Sequence, residues 1–99
     1  MSSEDTVSEI TADLSHVMGL PETVLIHRGL ISYIEKEIRL AEADIFDLMD
    51  RYNAASKDYL YEGIKSKKIA SHPAWEDYIV WKNKEKYIID LKARLGRMP

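Results

Sequence analysis

A line of apolar residues in the first half of the chain constrains the fold more than any other feature. Its members recur at alternating steps of three and four, a spacing that puts side chains in one row on a helix. This seam consists of Ile31, Ile34, Ile38, Ala41, Ile45, Leu48 and Tyr52. Because exposed apolar surface is unfavourable in water, the seam must be covered by another part of the chain, by a second copy or by a different protein.

Capping residues predict two helices in the first half of the chain. The long helix should run from Pro21 to about Asn53, since proline fits the first turn of a helix. A shorter helix should run from about Val7 to Met18, after a capping box over residues 6–9. It should end at Gly19, which accepts the left-handed conformation. The apolar row of this first helix is Val7, Ile10, Leu14 and Val17.

The second half of the chain predicts two more helices. A short one should run from Lys57 to about Glu62, after Ser56 as its cap, and Gly63 should close it. Its apolar face should comprise Tyr59, Leu60 and Ile64. The last helix should begin at Ser71-His72-Pro73 and run to about Leu95.

No segment carries the alternating pattern of a strand, so we expect an all-α fold. Its parts are a long central helix, a shorter N-terminal helix, a short connecting helix and a C-terminal helix that folds back as a helical hairpin or bundle. A chain of 99 residues fits one domain. We therefore predict a single domain over residues 1–99, with a disordered tail over residues 1–5.

Composition gives little reason to expect an enzyme, a metal or a cofactor. There is no cysteine, and the three histidines are not spaced with other ligands as metal sites require. Paired carboxylates occur on the long helix, but they are common on any solvated helix. No apolar run approaches the roughly 20 residues of a membrane-spanning helix. The acidic N-terminus lacks the apolar region of a signal peptide, so we expect a cytoplasmic protein.

Charge is distributed unevenly along the chain. Residues 1–22 hold five acidic groups and no Lys or Arg, whereas residues 57–99 hold ten basic and six acidic groups. Attraction between the two ends, or simple solvation, accounts for such a pattern. The alternative is that Arg28 and the basic groups of residues 65–97 contact nucleic acid, as a transcriptional regulator would.

Two segments are candidates for binding a partner protein by an amphipathic helix. One is the N-terminal helix, with Ile10, Leu14 and Val17. The other is the C-terminal helix, with Trp75, Tyr78, Trp81, Ile88, Leu91 and Leu95. Exposed aromatic residues are frequent anchors of interfaces, but Trp75 and Tyr78 could instead clamp the start of their helix onto the preceding segments.

Residues 14–35 resemble the helix–turn–helix half of ribbon–helix–helix antitoxins. In those proteins a helix ends at Gly-Leu, a small residue or proline follows, and the next helix ends in a Tyr-Leu-Glu-like string. The corresponding pieces here are Gly19-Leu20-Pro21 and Tyr33-Ile34-Glu35. That family reads DNA with a preceding strand, and residues 1–5 offer no such strand.

Most of the remaining chain is similar to short, prokaryotic and especially archaeal, antitoxin-like helical proteins. The matching pieces are Tyr33 to Tyr52, Ser56 to Ile69, Trp75 to Tyr78 and Leu91 to Leu95. The resemblance implies a partner-binding protein that accompanies a small toxin.

We therefore expect a non-enzymatic interaction module that dimerises through the long helix and binds a partner protein. The packing seam would use Ile31, Ile34, Ile38, Ile45, Leu48 and Tyr52. A structural subunit of a larger helical assembly is a further alternative. Covering of the seam by the last helix, folded back antiparallel, also remains open.

Overall fold

The computed structural model describes residues 3–98, with side chains from Asp5 onward, and organises them as four helices. These are α1 (Ser3–Met18), α2 (Glu22–Tyr52), α3 (Lys57–Lys65) and α4 (Ser71–Leu95). No strand occurs in the described range. The predicted all-α architecture is confirmed, including the long central helix and the C-terminal helix that folds back on it.

The first helix begins earlier than predicted. It starts at Ser3 rather than Val7, so residues 3–5 are helical and not part of a disordered tail. Residues 1–2 lie outside the described residues. An acidic side chain such as Asp5 is favourable near the positive end of a helix dipole, and this extends the helix beyond the capping box at Thr6.

Both α1 and α2 end in the same capping motif. After α1, Gly19 adopts φ 66° and donates its N–H to the His16 carbonyl, while Leu20 donates to the Ser15 carbonyl. After α2, Asn53 adopts the left-handed conformation in the same way, at φ 47°. The predicted ends of these two helices are confirmed.

Gly63 does not end α3, which continues to Lys65. A Cβ built on Gly63 would lie 2.6 Å from Cδ1 of Ile69, so the glycine serves the close approach of the segment that follows. The predicted N-cap is confirmed, because Ser56 accepts a hydrogen bond from the Tyr59 N–H at 3.1 Å. Tyr59 itself is exposed rather than part of the apolar face, which Leu60 and Ile64 do form.

Helix α4 runs antiparallel to the second half of α2 and covers the seam. Leu48 shares one buried cluster with Trp81, and Ile38 shares another with Ile88, so the residue numbers run in opposite directions along the two helices. The seam from Ile34 to Tyr52 is therefore covered within the chain. The intramolecular alternative applies, because α4 occupies the surface that a second long helix would need.

The core consists of these two clusters. The first joins α2, α3 and α4 and contains Leu48, Ala54, Leu60, Ala74 and Trp81, with Tyr52 and Ile64 among its partly buried neighbours. The second joins α2 and α4 and contains Ile38, Ala41 and Ile88, with Ile34 and Ile45 beside it. All eight residues are apolar.

The molecule is elongated because its N-terminal part lies outside this core. It measures 60 × 31 × 18 Å, with a Cα radius of gyration of 19.9 Å. A compact chain of this length has a radius of about 13 Å. Among the described side chains, none before Ile38 is buried. Helix α1 and the first half of α2 therefore form an extension in contact with solvent. None of the described helices is long and apolar enough to cross a membrane.

Candidate protein-binding surface

Helix α1 presents its apolar row to solvent. The row consists of Val7, Ile10, Leu14 and Val17, which we call the α1 row, and their exposed fractions lie between 41% and 72%. Met18 continues the row and is 55% exposed. Spacings of three and four place these side chains on one side of the helix. Neither buried apolar cluster of the described residues includes a member of the α1 row.

Helix α1 contacts α2, and its partly buried residues are not those of the α1 row. Thr11 and Ser15 are the partly buried residues of α1, and both are small and polar. Ser15 Oγ donates to the Leu20 carbonyl, and Thr11 Oγ1 donates to the Val7 carbonyl at 2.7 Å. These hydrogen bonds stabilise the turn and the helix, but they bury little apolar surface. The α1–α2 contact therefore leaves the α1 row free.

The polar side of α1 is acidic. Residues 1–22 contain no Lys or Arg, and neither Glu9 nor Asp13 forms an ion pair with another described residue. Negative charge that is not neutralised within the chain favours a positively charged surface on whatever covers the α1 row.

The first half of α2 adds a second exposed apolar line. Ile26, Leu30 and Tyr33 are between 52% and 62% exposed, on a different side of α2 from the seam. The seam side is better covered here, since His27, Ile31 and neighbouring residues are partly buried. Hydrophobic patches of this extent on a small protein mark surfaces that contact other molecules.

Four of the predicted partner-binding residues lie inside the molecule instead. Trp81 and Ile88 are 1% and 9% exposed, while Leu91 and Leu95 pack, partly buried, beside the Ile38 cluster. This corrects their assignment. The row of α4 that carries them is the row that meets the seam, so these side chains stabilise the fold.

Trp75 and Tyr78 form an aromatic clamp with Tyr61 of α3. The Trp75 and Tyr78 rings stack with centroids 5.5 Å apart, and the Tyr61 ring lies 5.3 Å from that of Tyr78. Pairs of this geometry stabilise helix contacts. The clamp matches the structural role considered for these two residues, although Trp75 remains 42% exposed.

Polar contacts along one flank of α4 set its register on α2. Asp77 accepts hydrogen bonds from Arg51, at 2.9 Å, and from the Tyr52 hydroxyl. Further along, Lys84 pairs with Asp44 at 2.9 Å, and the Tyr87 hydroxyl donates to Glu37 Oε1 at 2.9 Å. Burial and the hydrogen bond to Asp77 raise the pKa of Tyr52. The hydrogen bond to Glu37 raises the pKa of Tyr87.

These contacts also use part of the basic charge of the C-terminal half. Lys57 pairs with Glu85, Lys84 with Asp44, and Lys86 with Asp90. Arg94 donates to the Asp90 carbonyl. The positive charge predicted to attract either the other end or a nucleic acid is therefore partly neutralised within the second half of the molecule.

An open cleft of about 450 Å³ lies between the end of α2, α3 and the segment after it. Tyr52, Tyr59, Glu62, Lys68 and Ile69 contribute to its lining. Among the described residues, no group of three or more His, Asp or Glu side chains is arranged to hold a metal ion.

One surface feature was missed by the sequence reasoning. Ile79, Lys82, Lys86 and Ile89, which we call the outer α4 row, lie on a side of α4 away from the buried Trp81 and Ile88. Ile89 is 66% exposed, Ile79 is 37% exposed, and both lysines are exposed. Their spacing of three, four and three was the signal. The α1 row has the same spacing, but Lys82 and Lys86 interrupt the apolar pattern of the outer α4 row.

Comparison with known proteins assigns a family but no activity. No curated protein and no solved structure matches the chain. Residues 1–98 match the profile of one family, which is described as uncharacterized. Since the match covers almost the whole chain, this protein belongs to the uncharacterized protein MJ0235 family.

Proposed function

We propose that this protein is a non-enzymatic interaction module, antitoxin-like in mode, that binds a partner protein through α1. The observation that carries the proposal is the exposure of the whole α1 row, between 41% and 72% for each side chain. An amphipathic helix that buries none of its apolar row within its own chain is suited to the groove of another protein.

The mechanism would be occlusion. Helix α1 would place Ile10 and Leu14 in an apolar groove, where central, fully desolvated side chains contribute most of the binding energy. The α2–α4 body would then stand over the partner's surface and block access to it. Such a partner, for example a small cytoplasmic toxin, would lose its activity without any chemistry performed by this chain.

The acidic charge of α1 limits the kind of protein that can bind to it. The acidic groups that flank the α1 row, Glu9 and Asp13 among them, would meet Lys or Arg side chains at the rim of the groove. We therefore expect a partner with an apolar groove and a basic rim. Association with it should slow as ionic strength rises, because screening weakens attraction between exposed charges.

The test compares the wild-type chain with Leu14→Asp and with Ala12→Asp. Both substitutions add one carboxylate to α1, but only Leu14 lies on the α1 row. A partner retrieved with the wild-type chain from its native host would be purified and titrated with each variant by calorimetry. Leu14→Asp should weaken binding about 30-fold or more, as expected when a hot-spot anchor is lost. Ala12→Asp should bind within about threefold of wild type.

The wild-type chain and Ala12→Asp should inhibit the partner's activity about equally, and Leu14→Asp should inhibit it less. Equal binding by Leu14→Asp and wild type would contradict the proposal, provided that circular dichroism shows all three chains to be equally helical. Retention of nucleic acid in place of a protein would favour the regulator alternative, and that retention should be lost steeply between about 50 and 200 mM salt. Incorporation into a large complex regardless of α1 would favour a structural subunit.

A further inference from the structure

The α1 row and the outer α4 row have the same length and the same spacing. Val7 and Val17 are ten residues apart, as are Ile79 and Ile89. Ten residues of helix rise about 15 Å. Between these apolar ends, α1 places Ile10 and Leu14, and α4 places Lys82 and Lys86. The two rows therefore coincide position by position when one helix lies along the other.

Their charges are complementary at the same interval. Glu9 and Asp13 lie four residues apart beside the α1 row, and Lys82 and Lys86 lie four residues apart on α4. The aliphatic stems of the two lysines can cover Ile10 and Leu14 while their ammonium groups reach the carboxylates at the edge. In this arrangement the ammonium groups of the central lysines pair with the carboxylates beside the α1 row.

Within one copy of the chain, the α1 row and the outer α4 row do not pack on each other. Helix α1 contacts α2, and Thr11 and Ser15, which are not in the α1 row, are its partly buried residues. Val7, Val17 and Ile89 are each at least 65% exposed, so the two rows do not cover one another within the molecule. Lys82 forms no ion pair with a described residue, and the Lys86–Asp90 pair is an exposed contact within one helix turn, which is easily exchanged.

We propose that a second copy of this chain covers the α1 row, and that α1 of each copy lies on the outer α4 row of the other. A two-fold pair contains this contact twice, because each copy supplies both rows. Four side chains of one row meet four of the other in each contact, so the pair brings sixteen side chains together across the interface.

This inference rests on the proposed function in one respect, namely that the α1 row is a protein-binding surface. The second copy then protects the apolar side chains of the free protein, and a partner with a basic-rimmed groove displaces it. The outer α4 row takes part only in the homodimer. Variants of α4 therefore separate the two ideas, since they weaken self-association without touching the α1 row, and the apparent affinity of α1 for a partner should then stay the same or rise, because less of the competing dimer forms.

Sedimentation velocity of the full chain over a range of micromolar concentrations tests the dimer. Wild type should sediment as a dimer, and Leu14→Asp as a monomer of unchanged helicity. Lys82→Glu with Lys86→Glu should raise the dissociation constant at least about tenfold, because like charges then face each other. Glu9→Lys with Asp13→Lys should do the same. The chain with all four substitutions should regain the dimer, because the charges are opposite again.

Lys36→Glu with Arg39→Glu is the matched control. It reverses two exposed charges on α2, away from both rows, and should leave the dimer unchanged. A monomeric wild-type chain, or a dimer that tolerates the Lys82 and Lys86 reversals, overturns the inference. If that chain still binds a partner through Leu14, the proposed function stands without the dimer. If the dimer forms as described but no partner binds through α1, the dimer stands and the proposed function fails.

Discussion

Leu60 provides the sharpest test of the core, and the proposed change is Leu60→Ala. Its side chain is 0% exposed, and it lies in the cluster where α2, α3 and α4 meet, with Leu48 and Trp81. Leu40→Ala is the matched control, because Leu40 undergoes the same chemical change on α2 while 52% exposed. The difference between the two variants isolates the effect of burial.

The expected magnitude follows from that burial. Truncation of a fully buried leucine removes its transfer free energy and leaves a cavity, at a combined cost of about 3–4 kcal/mol. A chain of 99 residues has a free energy of unfolding of about 5–15 kcal/mol. This chain should lie near the lower end, because α1 and the first half of α2 contribute no buried residue. Leu60→Ala should therefore remove more than half of the stability.

Leu40→Ala should cost less than about 1 kcal/mol, as exposed substitutions do. Urea unfolding followed by circular dichroism and by tryptophan fluorescence measures both values, with Trp81 as a buried reporter of the same cluster. The urea dependence should be similar in the two variants, since each native state buries nearly the same area. If Leu60→Ala costs no more than Leu40→Ala, the packing of α3 against α2 and α4 is not as described.

Three further predictions concern the backbone and the polar contacts. Gly29→Ala should stabilise the chain by about 0.5–1 kcal/mol in thermal or urea unfolding, since Gly29 is helical and an added Cβ meets nothing within 4 Å. Gly19→Ala also meets open space but should destabilise by about 1–2 kcal/mol, because φ there is +66°; equal effects at the two glycines would contradict the cap. Burial and the hydrogen bond to Asp77 raise the folded-state pKa of Tyr52 above 10.0, and the hydrogen bond to Glu37 raises that of Tyr87. The stability that these two shifts contribute is therefore fully present below pH 10.0, and it is lost as the pH rises through the raised pKa values. Tyr52→Phe with Tyr87→Phe should therefore flatten the alkaline fall of stability in urea titrations from about pH 8 to about pH 11, and an unchanged slope would show that these two hydroxyls do not cause it.

Local rules were sufficient for most helix boundaries. Gly19 and Ser56 act through their own backbone conformation and nearest neighbours, so their effects can be anticipated from the residue types. The end of α3 has a non-local cause. Gly63 lies inside α3 and gives room for Ile69, which packs against it. The residues around Gly63 do not predict that contact.

The candidate binding surface was only partly predictable. The amphipathic pattern of α1 predicted Ile10, Leu14 and Val17 as partner-binding residues, and that of α4 predicted Trp81 and Ile88 equally well. Periodicity states that a row is apolar, but not whether the same chain covers it. The fold places the α4 residues against the seam and leaves the α1 residues exposed.

Residue order alone determined that this chain is helical, that its longest helix carries an apolar seam, and that acidic and basic residues gather at opposite ends. Those properties depend on the spacing of apolar and charged residues and on helix propensity, which each local segment has by itself. Only the tertiary structure decided which apolar row closes the seam. Two rows were available. The antiparallel return of α4 brings Trp81 and Ile88 onto α2, with the Lys84–Asp44 ion pair beside them. Helix α1 joins α2 through the short turn at Gly19, and its own row stays exposed to solvent.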